Sequence, residues 1–446
     1  MSFFSINKSF KGGVHPDEHK DLTENSAFEL MPYPAEVVLP LSQHIGKPSK
    51  VLVKKRDLVK SGQVIAEPDG FISSIIHSPI TGKIKDIGKT ASVGGRPQEA
   101  VTIVAEGEDE VVFMEPLDAD SISPEMIIER VKEAGIVGQG GAAFPTYVKL
   151  MPPKDKNIEC IIINGAECEP YLTRDYRYMV ERTQDLIVGI KLIMRALGVK
   201  RGIIGIEDNK PEAIKMLKEA TSQNSEIKVE VLKTKYPQGA EKMLIKVAVN
   251  KEVPPGKLPL DVGVVIQNIR TAISVFDAVV KGEPQITAAL TVSGFGIKTP
   301  KNLIVRVGTT VQQVLDYCGG TNEDARKVIV GGPMMGVAQY DMSAPIQKAT
   351  SGLLVLTEPE MKHSQETNCL RCGACVDVCA LNLIPKDLAK FSKAGKWDEA
   401  EALGVTVCME CGTCSYNCPA NIPLVQWIRL GKQRVINIQR SKQNVS

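Results

Sequence analysis

The chain lacks what a membrane span requires: in 446 residues, no apolar run approaches the roughly 18 that a spanning helix needs. It also lacks a dominant sign of charge. With 54 Lys and Arg against 52 Asp and Glu, the net charge is +2, and the basic residues are scattered, which argues against nucleic acid as a partner. The N-terminus MSFFSINKSFKGG has neither the apolar core nor the cleavage site of a secretory signal, so a cytoplasmic protein is expected. The length exceeds one ordinary core and implies three or four domains.

What the chain does have is cysteine in a pattern. Eight of its eleven cysteines fall between Cys369 and Cys418, and without a secretion signal they read as ligands, not disulfides. The first run is Cys369-x-x-Cys372-x-x-Cys375-x-x-x-Cys379. The second, Cys408-x-x-Cys411-x-x-Cys414-x-x-x-Cys418-Pro419, repeats its spacing. Three thiolates two residues apart wrap one face of a four-iron cubane, and the fourth iron needs a distant ligand. The doubled pattern resembles bacterial two-cluster ferredoxins, in which the last cysteine of each run serves the other cluster. The resemblance implies one 4Fe-4S cluster on Cys369, Cys372, Cys375 and Cys418, and a second on Cys379, Cys408, Cys411 and Cys414. Gly373, Ala374, Gly412 and Thr413 leave room for backbone amides to approach cluster sulfides. Ala380 stands where the motif usually has proline, a residue that shapes the turn but ligates nothing. Structural zinc is the competing reading, although it usually takes two separated Cys-x-x-Cys pairs. Cys160, Cys168 and Cys318 are isolated, and none is given a cluster role.

Upstream, short strands at Val51 to Val53, Val64 to Ala66, Ile72 to Ile76, Lys83 to Lys85 and Val101 to Val104 predict a small all-β unit. Its turns resemble the lipoyl/biotinyl barrel-sandwich fold. The Asp69-Gly70-Phe71 stretch offers no lysine to modify, so the unit is expected to be structural. From about residue 120 the pattern becomes α/β. A helix starts at Ser123-Pro124 and stops at Gly135. Strands are expected at Cys160 to Asn164, Gly202 to Glu207 and Ile227 to Leu232, with helical stretches at about 176–197 and 210–221, giving a largely parallel sheet.

Gly138-Gln139-Gly140-Gly141-Ala142-Ala143-Phe144-Pro145-Thr146 contains Gly-x-Gly-x-x-Ala, but it follows a helix where the dinucleotide fingerprint follows a strand. Taken alone, it is either an ordinary connector or a loop whose amides approach phosphate or a planar ring. Extended to Lys149, it resembles the flavin-binding loop of the NADH-binding subunit of respiratory complex I. Asn164-Gly165-Ala166-Glu167-Cys168-Glu169-Pro170, Gly239-Ala240-Glu241 and Ile266-Gln267-Asn268 are similar to further segments of that family, with Ala166 and Gln267 in place of an aspartate and an asparagine. The resemblance implies that Gly138, Gly140, Lys149, Asn164, Glu167 and Asn268 hold FMN, and that Phe144, Glu169 and Glu241 face the nicotinamide nucleotide.

The order of parts, beginning with Phe10-Lys11-Gly12-Gly13-Val14-His15-Pro16, resembles the RnfC subunit of the Rnf complex over nearly the whole chain. The expected architecture is multi-domain α/β plus small β units: an N-terminal arm and barrel-sandwich-like domain (1–115), a complex-I-like FMN/NADH α/β domain (116–284), an SLBB β-grasp module (285–358), a two-cluster ferredoxin-like helical domain (359–430) and a basic tail (431–446). The β-grasp module, with segments at Ala288 to Gly294, Lys301 to Val307 and Thr310 to Cys318, is expected to pack between domains.

The resemblance implies an oxidoreductase and translocase subunit that passes electrons between NAD(H), FMN and two 4Fe-4S clusters. It would be peripheral, on the cytoplasmic face of the cell membrane. Its partners would be the other membrane and Fe-S subunits of the complex and, indirectly, ferredoxin. Hydride transfer moves two electrons and a cubane takes one, so a flavin is the natural converter and no acid–base dyad is assigned. A cobalamin reductase, a soluble diaphorase subunit of a hydrogenase or dehydrogenase, and an assembly scaffold with structural clusters are the alternatives. His15, Asp17, Glu18 and His19 read as a solvated arm packing on a neighbour, with a metal site as the alternative. Arg429, Lys432, Arg434, Arg440 and Lys442 follow or interleave with Leu424, Trp427, Ile428 and Leu430. They read as a short helix with a solvated tail, or as a surface for membrane or partner.

Overall fold

The computed structural model describes residues 9–361 and 365–443. Among them no helix is long and apolar enough to cross a membrane. The first β unit is antiparallel. Glu36–Pro40, Gln98–Ala105, Gly82–Thr90 and Leu58–Val59 form one sheet, and Lys50–Val51, Val64–Glu67 and Ile76–His77 face it as a second. The strand expected over Ile72 to Ile76 is confined to Ile76–His77. The hydroxyls of Ser73 and Ser74 bond to the carbonyls of Lys47 and Gly135, which holds the preceding backbone in a loop.

The α/β unit begins as its sequence requires. Ser123 caps Pro124–Glu133 by accepting from Met126 N, and Pro124 fills a first-turn position where no N–H is needed. The apolar runs Cys160–Gly165, Gly202–Glu207, Ile227–Leu232 and Val264–Asn268 form a wholly parallel sheet, buried between helices on both faces. Its spatial order is Ile227–Leu232, Gly202–Glu207, Cys160–Gly165, Val264–Asn268, so the chain reverses its direction of travel between the last two. The helical stretch expected at 176–197 is two helices, Arg174–Glu181 and Thr183–Leu197. They break at Arg182, whose guanidinium is drawn to Asp277 and Asp185.

A third, six-stranded mixed sheet runs Phe28–Leu30, Lys301–Arg306, Thr287–Ser293, Gly352–Thr357, Ala325–Val330, Val337–Gln339. Its first strand comes from the N-terminal arm and pairs in parallel with Lys301–Arg306. The side chains of this sheet, including Leu290, Val305 and Leu353, share one core with Leu39, Ile84 and Ile103 of the first β unit. The arm therefore belongs to the third sheet as much as to the first unit, and the β-grasp module is fused to the barrel through a common interior.

The cysteine-rich unit is helical: Ala374–Asp377, Pro385–Lys393, Trp397–Ala402, Thr413–Tyr416 and Leu424–Gln443 surround Leu388, Ala400, Val405, Leu424 and Ile428. The expected boundary at 430 falls inside the last helix, which is one continuous element. Gly431 fits so tightly that a Cβ there would stand 2.0 Å from Ser392 Oγ, and Val435 is buried against the core. Residues 444–446 of the expected tail lie outside the described residues.

Candidate functional site

In open parallel sheets, ligands bind beyond the carboxyl ends of the strands at the point where strand order reverses. Here that point lies between Cys160–Gly165 and Val264–Asn268, where Asn164 and Asn268 are directly paired. Asn164 donates from Nδ2 to Gly239 O at 2.8 Å and accepts from Ala166 N. Asn268 caps the helix Ile269–Val280 by accepting from Arg270 N, and its Nδ2 donates to Asp175 at 2.6 Å.

The glycine-rich loop lies across this point. It runs between two helices, as its sequence context required, and closes on itself through Gly138 N to Phe144 O at 2.8 Å. Gln139 anchors it from beneath: N donates to Thr271 Oγ1 and Nε2 to Ser274 Oγ, while its carbonyl accepts from Arg174. Gly140 is exposed and stands over Asn268; a Cβ on it would lie 3.3 Å from Asn268 Cβ. Phe144 is half-buried. Lys149 Nζ donates to Ile266 O and to Glu241 Oε1, each at 3.1 Å, and Glu241 remains half exposed.

The residues here fit a flavin. Gln238 is fully buried, yet neither its amide nitrogen nor its amide oxygen has a protein partner, and Gln267 Nε2 is likewise unpaired. Unpaired buried amides are costly unless something satisfies them. Gln238 adjoins Gly239, where a Cβ would stand 3.3 to 3.5 Å from Cys168 Sγ, Ala166 Cβ and Asn164 Oδ1. Nothing in the sequence pattern singled out Gln238; only its lack of partners in the folded chain does so.

Two carboxylates assigned to ligands by resemblance also hold backbone amides. Glu167 accepts from the amides of Asp175 and Tyr176, capping Arg174–Glu181. Burial pushes its pKa up, against the pull of Lys20. Glu169 accepts from Met334 N and Met335 N, at 3.0 Å each, in the Gly331 to Gly336 loop of the third sheet. The turn carrying both is held by Lys20, a buried lysine that no sequence pattern marks. Its Nζ donates to the carbonyls of Glu167, Glu169 and Leu172 at 2.9, 3.1 and 2.6 Å.

The N-terminal arm is packed on its own chain. Gly13 N donates to Val378 O, and Val14 pairs with Tyr236 through two backbone hydrogen bonds. His15 is exposed, Glu18 accepts from Asn209, and His19 stacks beside Tyr171 and Phe295, so these side chains diverge. The expectation of an arm reaching to a neighbour gives way to one that ties the α/β unit to the cysteine-rich unit.

The eight cysteines fall into two interleaved groups. Cys369, Cys372, Cys375 and Cys418 line one cavity together with Gly373 and Pro419. Cys408, Cys411 and Cys379 are all near enough to act electrostatically on Cys414. Among the described residues no three His, Cys, Asp or Glu side chains meet closely enough to hold a single ion. The backbone repeats as the sequence does, with left-handed Arg371 and Glu410, Gly373 and Gly412, and Asn382 and Asn421 at matching positions. The second group is the inner one. Tyr236 hydroxyl donates to Cys411 O at 2.8 Å, and Gly412 approaches Met334 O so closely that a Cβ would stand 2.9 Å away. Lys432 donates to Cys408 O and pairs with Glu410, which also pairs with Arg429, so Lys432 of the expected basic tail and Arg429 just before it brace this loop. Cys369 and Cys372 are exposed.

Comparison with known proteins follows the same divisions. The Nuo51 FMN-binding domain matches residues 131–277, the RnfC barrel sandwich hybrid domain 8–108, the SLBB domain 290–338 and the 4Fe-4S dicluster domain 368–422. One subunit of the proton-translocating ferredoxin:NAD(+) oxidoreductase complex of Clostridium ljungdahlii is 46% identical over 88% of this chain and 86% of its own. The chain belongs to the RnfC family. The corresponding subunit of the Na(+)-translocating ferredoxin:NAD(+) oxidoreductase complex of Acetobacterium woodii is 42% identical over 98% of this chain and 99% of its own. That of the ion-translocating oxidoreductase complex of Rhodobacter capsulatus is 42% identical over 97% and 84%. In fold, this RnfC family member is similar to a chain of an NAD+-reducing [NiFe]-hydrogenase, with a TM-score of 0.52 at 17% identity. The match covers 70% of this chain and 63% of that one. The chain thus carries an FMN domain and a two-cluster domain, the cofactor set of an electron-transfer subunit.

Proposed function

We propose that the chain is the peripheral electron-transfer subunit of a membrane-bound ferredoxin:NAD oxidoreductase that couples electron flow to ion translocation, docked on its membrane partners at the cytoplasmic face. The relatives from the two ion-translocating ferredoxin:NAD(+) oxidoreductase complexes support this over most of their length. The observation that carries it is the junction of the two redox units: Tyr236, on the loop beside the flavin-type cleft, hydrogen-bonds directly to Cys411 of the inner cysteine group.

An FMN bound in the cleft would supply the conversion between the electron pair of NAD(H) and the single electrons of iron–sulfur clusters. Gly138, Gly140, Lys149, Asn164, Glu167 and Asn268 would hold it, with Gln238 as a further partner. The loop amides and Lys149 offset negative charge. Phe144, Glu169 and Glu241 would face the nucleotide, and Glu169 also fastens the third sheet against the junction. Cys379, Cys408, Cys411 and Cys414 ligate the inner cluster; Cys369, Cys372, Cys375 and Cys418 ligate the outer one, whose exposed cysteines face the partner.

The test is anaerobic reconstitution of the full chain with iron, sulfide and FMN, followed by NADH titration. Bleaching of the flavin absorbance together with reduced-cubane EPR signals from two clusters is the expected result. Two clusters that dithionite reduces and NADH does not would overturn the nucleotide site.

A further inference from the structure

The turn from Asn164 to Leu172 joins the flavin-type cleft to a buried group of charges. Toward the cleft, Asn164 donates to Gly239 O and Cys168 Sγ accepts from Gly239 N at 3.3 Å, beside the unpaired amide of Gln238. The same turn is held by two buried lysines, Lys20 of the arm and Lys210 at the start of the helix Pro211–Ala220. Lys20 takes the carbonyls of Glu167, Glu169 and Leu172, and Lys210 takes that of Ala166 at 2.8 Å.

Glu207 completes the group. It ends the strand Gly202–Glu207, which pairs directly with Cys160–Gly165, and it is only 1% exposed. Its carboxylate lies 3.6 Å from Lys210 Nζ and accepts from Lys235 N at 3.2 Å, at the head of the loop that carries Tyr236 and Gln238. Lys20, Glu18 and Cys168 are also near enough to act on it, and Lys20 and Lys210 act on Glu167 as well. A buried carboxylate stays charged only when well paired. Lys210, its ion-pair partner, gives its shorter bonds to Ala166 O and Asn209 Oδ1, at 2.8 Å each. Burial accordingly pushes the Glu207 carboxyl up to about 7, against the pull of Lys210. Asn209 in turn donates to the half-buried Glu18, so hydrogen-bonded side chains lead from this group toward the surface.

A flavin that accepts electrons in the cleft gains negative charge, and a negative charge nearby disfavours the ionised form of a carboxyl. A buried carboxyl close to half protonated at neutral pH is where such a change moves a proton. We propose that Glu207 is the proton reservoir of the flavin site, taking one proton from solvent as the flavin is reduced and returning it as the electrons leave for the clusters. The electrons come from NADH, and the O–H bond made and broken on Glu207 is the one covalent change in this chain. This rests on the reading of the cleft as an FMN site.

The test uses the full chain with FMN and both clusters in place. The flavin's midpoint potential is followed optically in redox titrations at a series of pH values, and its slope against pH counts the protons taken up per flavin reduced. A tenfold change in the proton affinity of Glu207, the scale of one nearby charge, corresponds to about half a proton at about pH 7.5. The parent therefore takes up about half a proton more than Glu207→Gln, which keeps the acceptor for Lys235 N. Lys210→Met removes the cation that holds the carboxyl down, and so moves the extra uptake to higher pH. Slopes that are the same in the parent and both variants at every pH overturn the proposal. If the unaltered chain binds no FMN, the reading of the cleft fails and takes the proposal with it, a result seen before any substitution is made.

Discussion

The hydroxyl of Tyr236 donates to the backbone carbonyl of Cys411 at 2.8 Å, and the backbone of the same tyrosine pairs with Val14 of the N-terminal arm. One residue of the flavin-type unit therefore touches a cysteine of the inner group and the arm that packs beside Cys379. The distance between the two redox units is set by a buried, directional contact instead of a flexible linker.

Removing that hydroxyl should be felt by one cluster only. An O–H donor to a ligand's peptide carbonyl stabilises the more negative, reduced state. Tyr236→Phe should lower the midpoint potential of the inner cluster and leave the outer one in place, as read by EPR during a redox titration. Equal shifts in both would count against the contact's local role.

Gln238 gives a test of the flavin site that needs no turnover. Its buried amide is unpaired in the chain alone, so replacing it with an apolar side chain removes a cost before binding and a partner after it. Gln238→Leu should be at least as stable to heat as the parent without flavin, yet bind FMN on the order of tenfold more weakly, the worth of a hydrogen bond of about 1.4 kcal/mol. Unchanged FMN affinity by fluorescence titration would place the flavin elsewhere.

Lys348 makes stability depend on pH. Burial lowers its pKa from 10.5 to about 7. Below about 7 the lysine is charged in both folded and unfolded chains, and above 10.5 it is neutral in both. Between those values only the unfolded chain binds the proton, so stability rises with pH, by up to about 1.4 kcal/mol per unit. Lys348→Met should flatten the rise in thermal midpoint between pH 7 and 9 relative to the parent. Parallel curves for the two proteins would contradict the assignment.

Much of this was legible in the sequence where the signal is local. Ser123-Pro124 starts its helix, the apolar runs form the parallel sheet, and the cysteine spacing sorts into two interleaved groups. What escaped depends on partners distant in the chain. The bonds of Glu169 to Met334 N and Met335 N join segments far apart in the chain, and Lys20 is an unremarked lysine until the fold buries it under three carbonyls. The C-terminal helix runs on because Gly431 and Val435 pack against the interior, which composition alone concealed behind its charge.

Electrons are expected to pass between NAD(H), flavin, the inner cluster and the outer cluster in that order. The most direct measurement is freeze-quench EPR of Cys372→Ala and Cys411→Ala after mixing with NADH, each variant keeping the cluster it does not disturb. NADH should reduce the remaining inner cluster in Cys372→Ala as fast as in the parent. In Cys411→Ala it leaves the remaining outer cluster oxidised on the same timescale, although dithionite reduces it. Rapid reduction of the outer cluster by NADH in Cys411→Ala would contradict it.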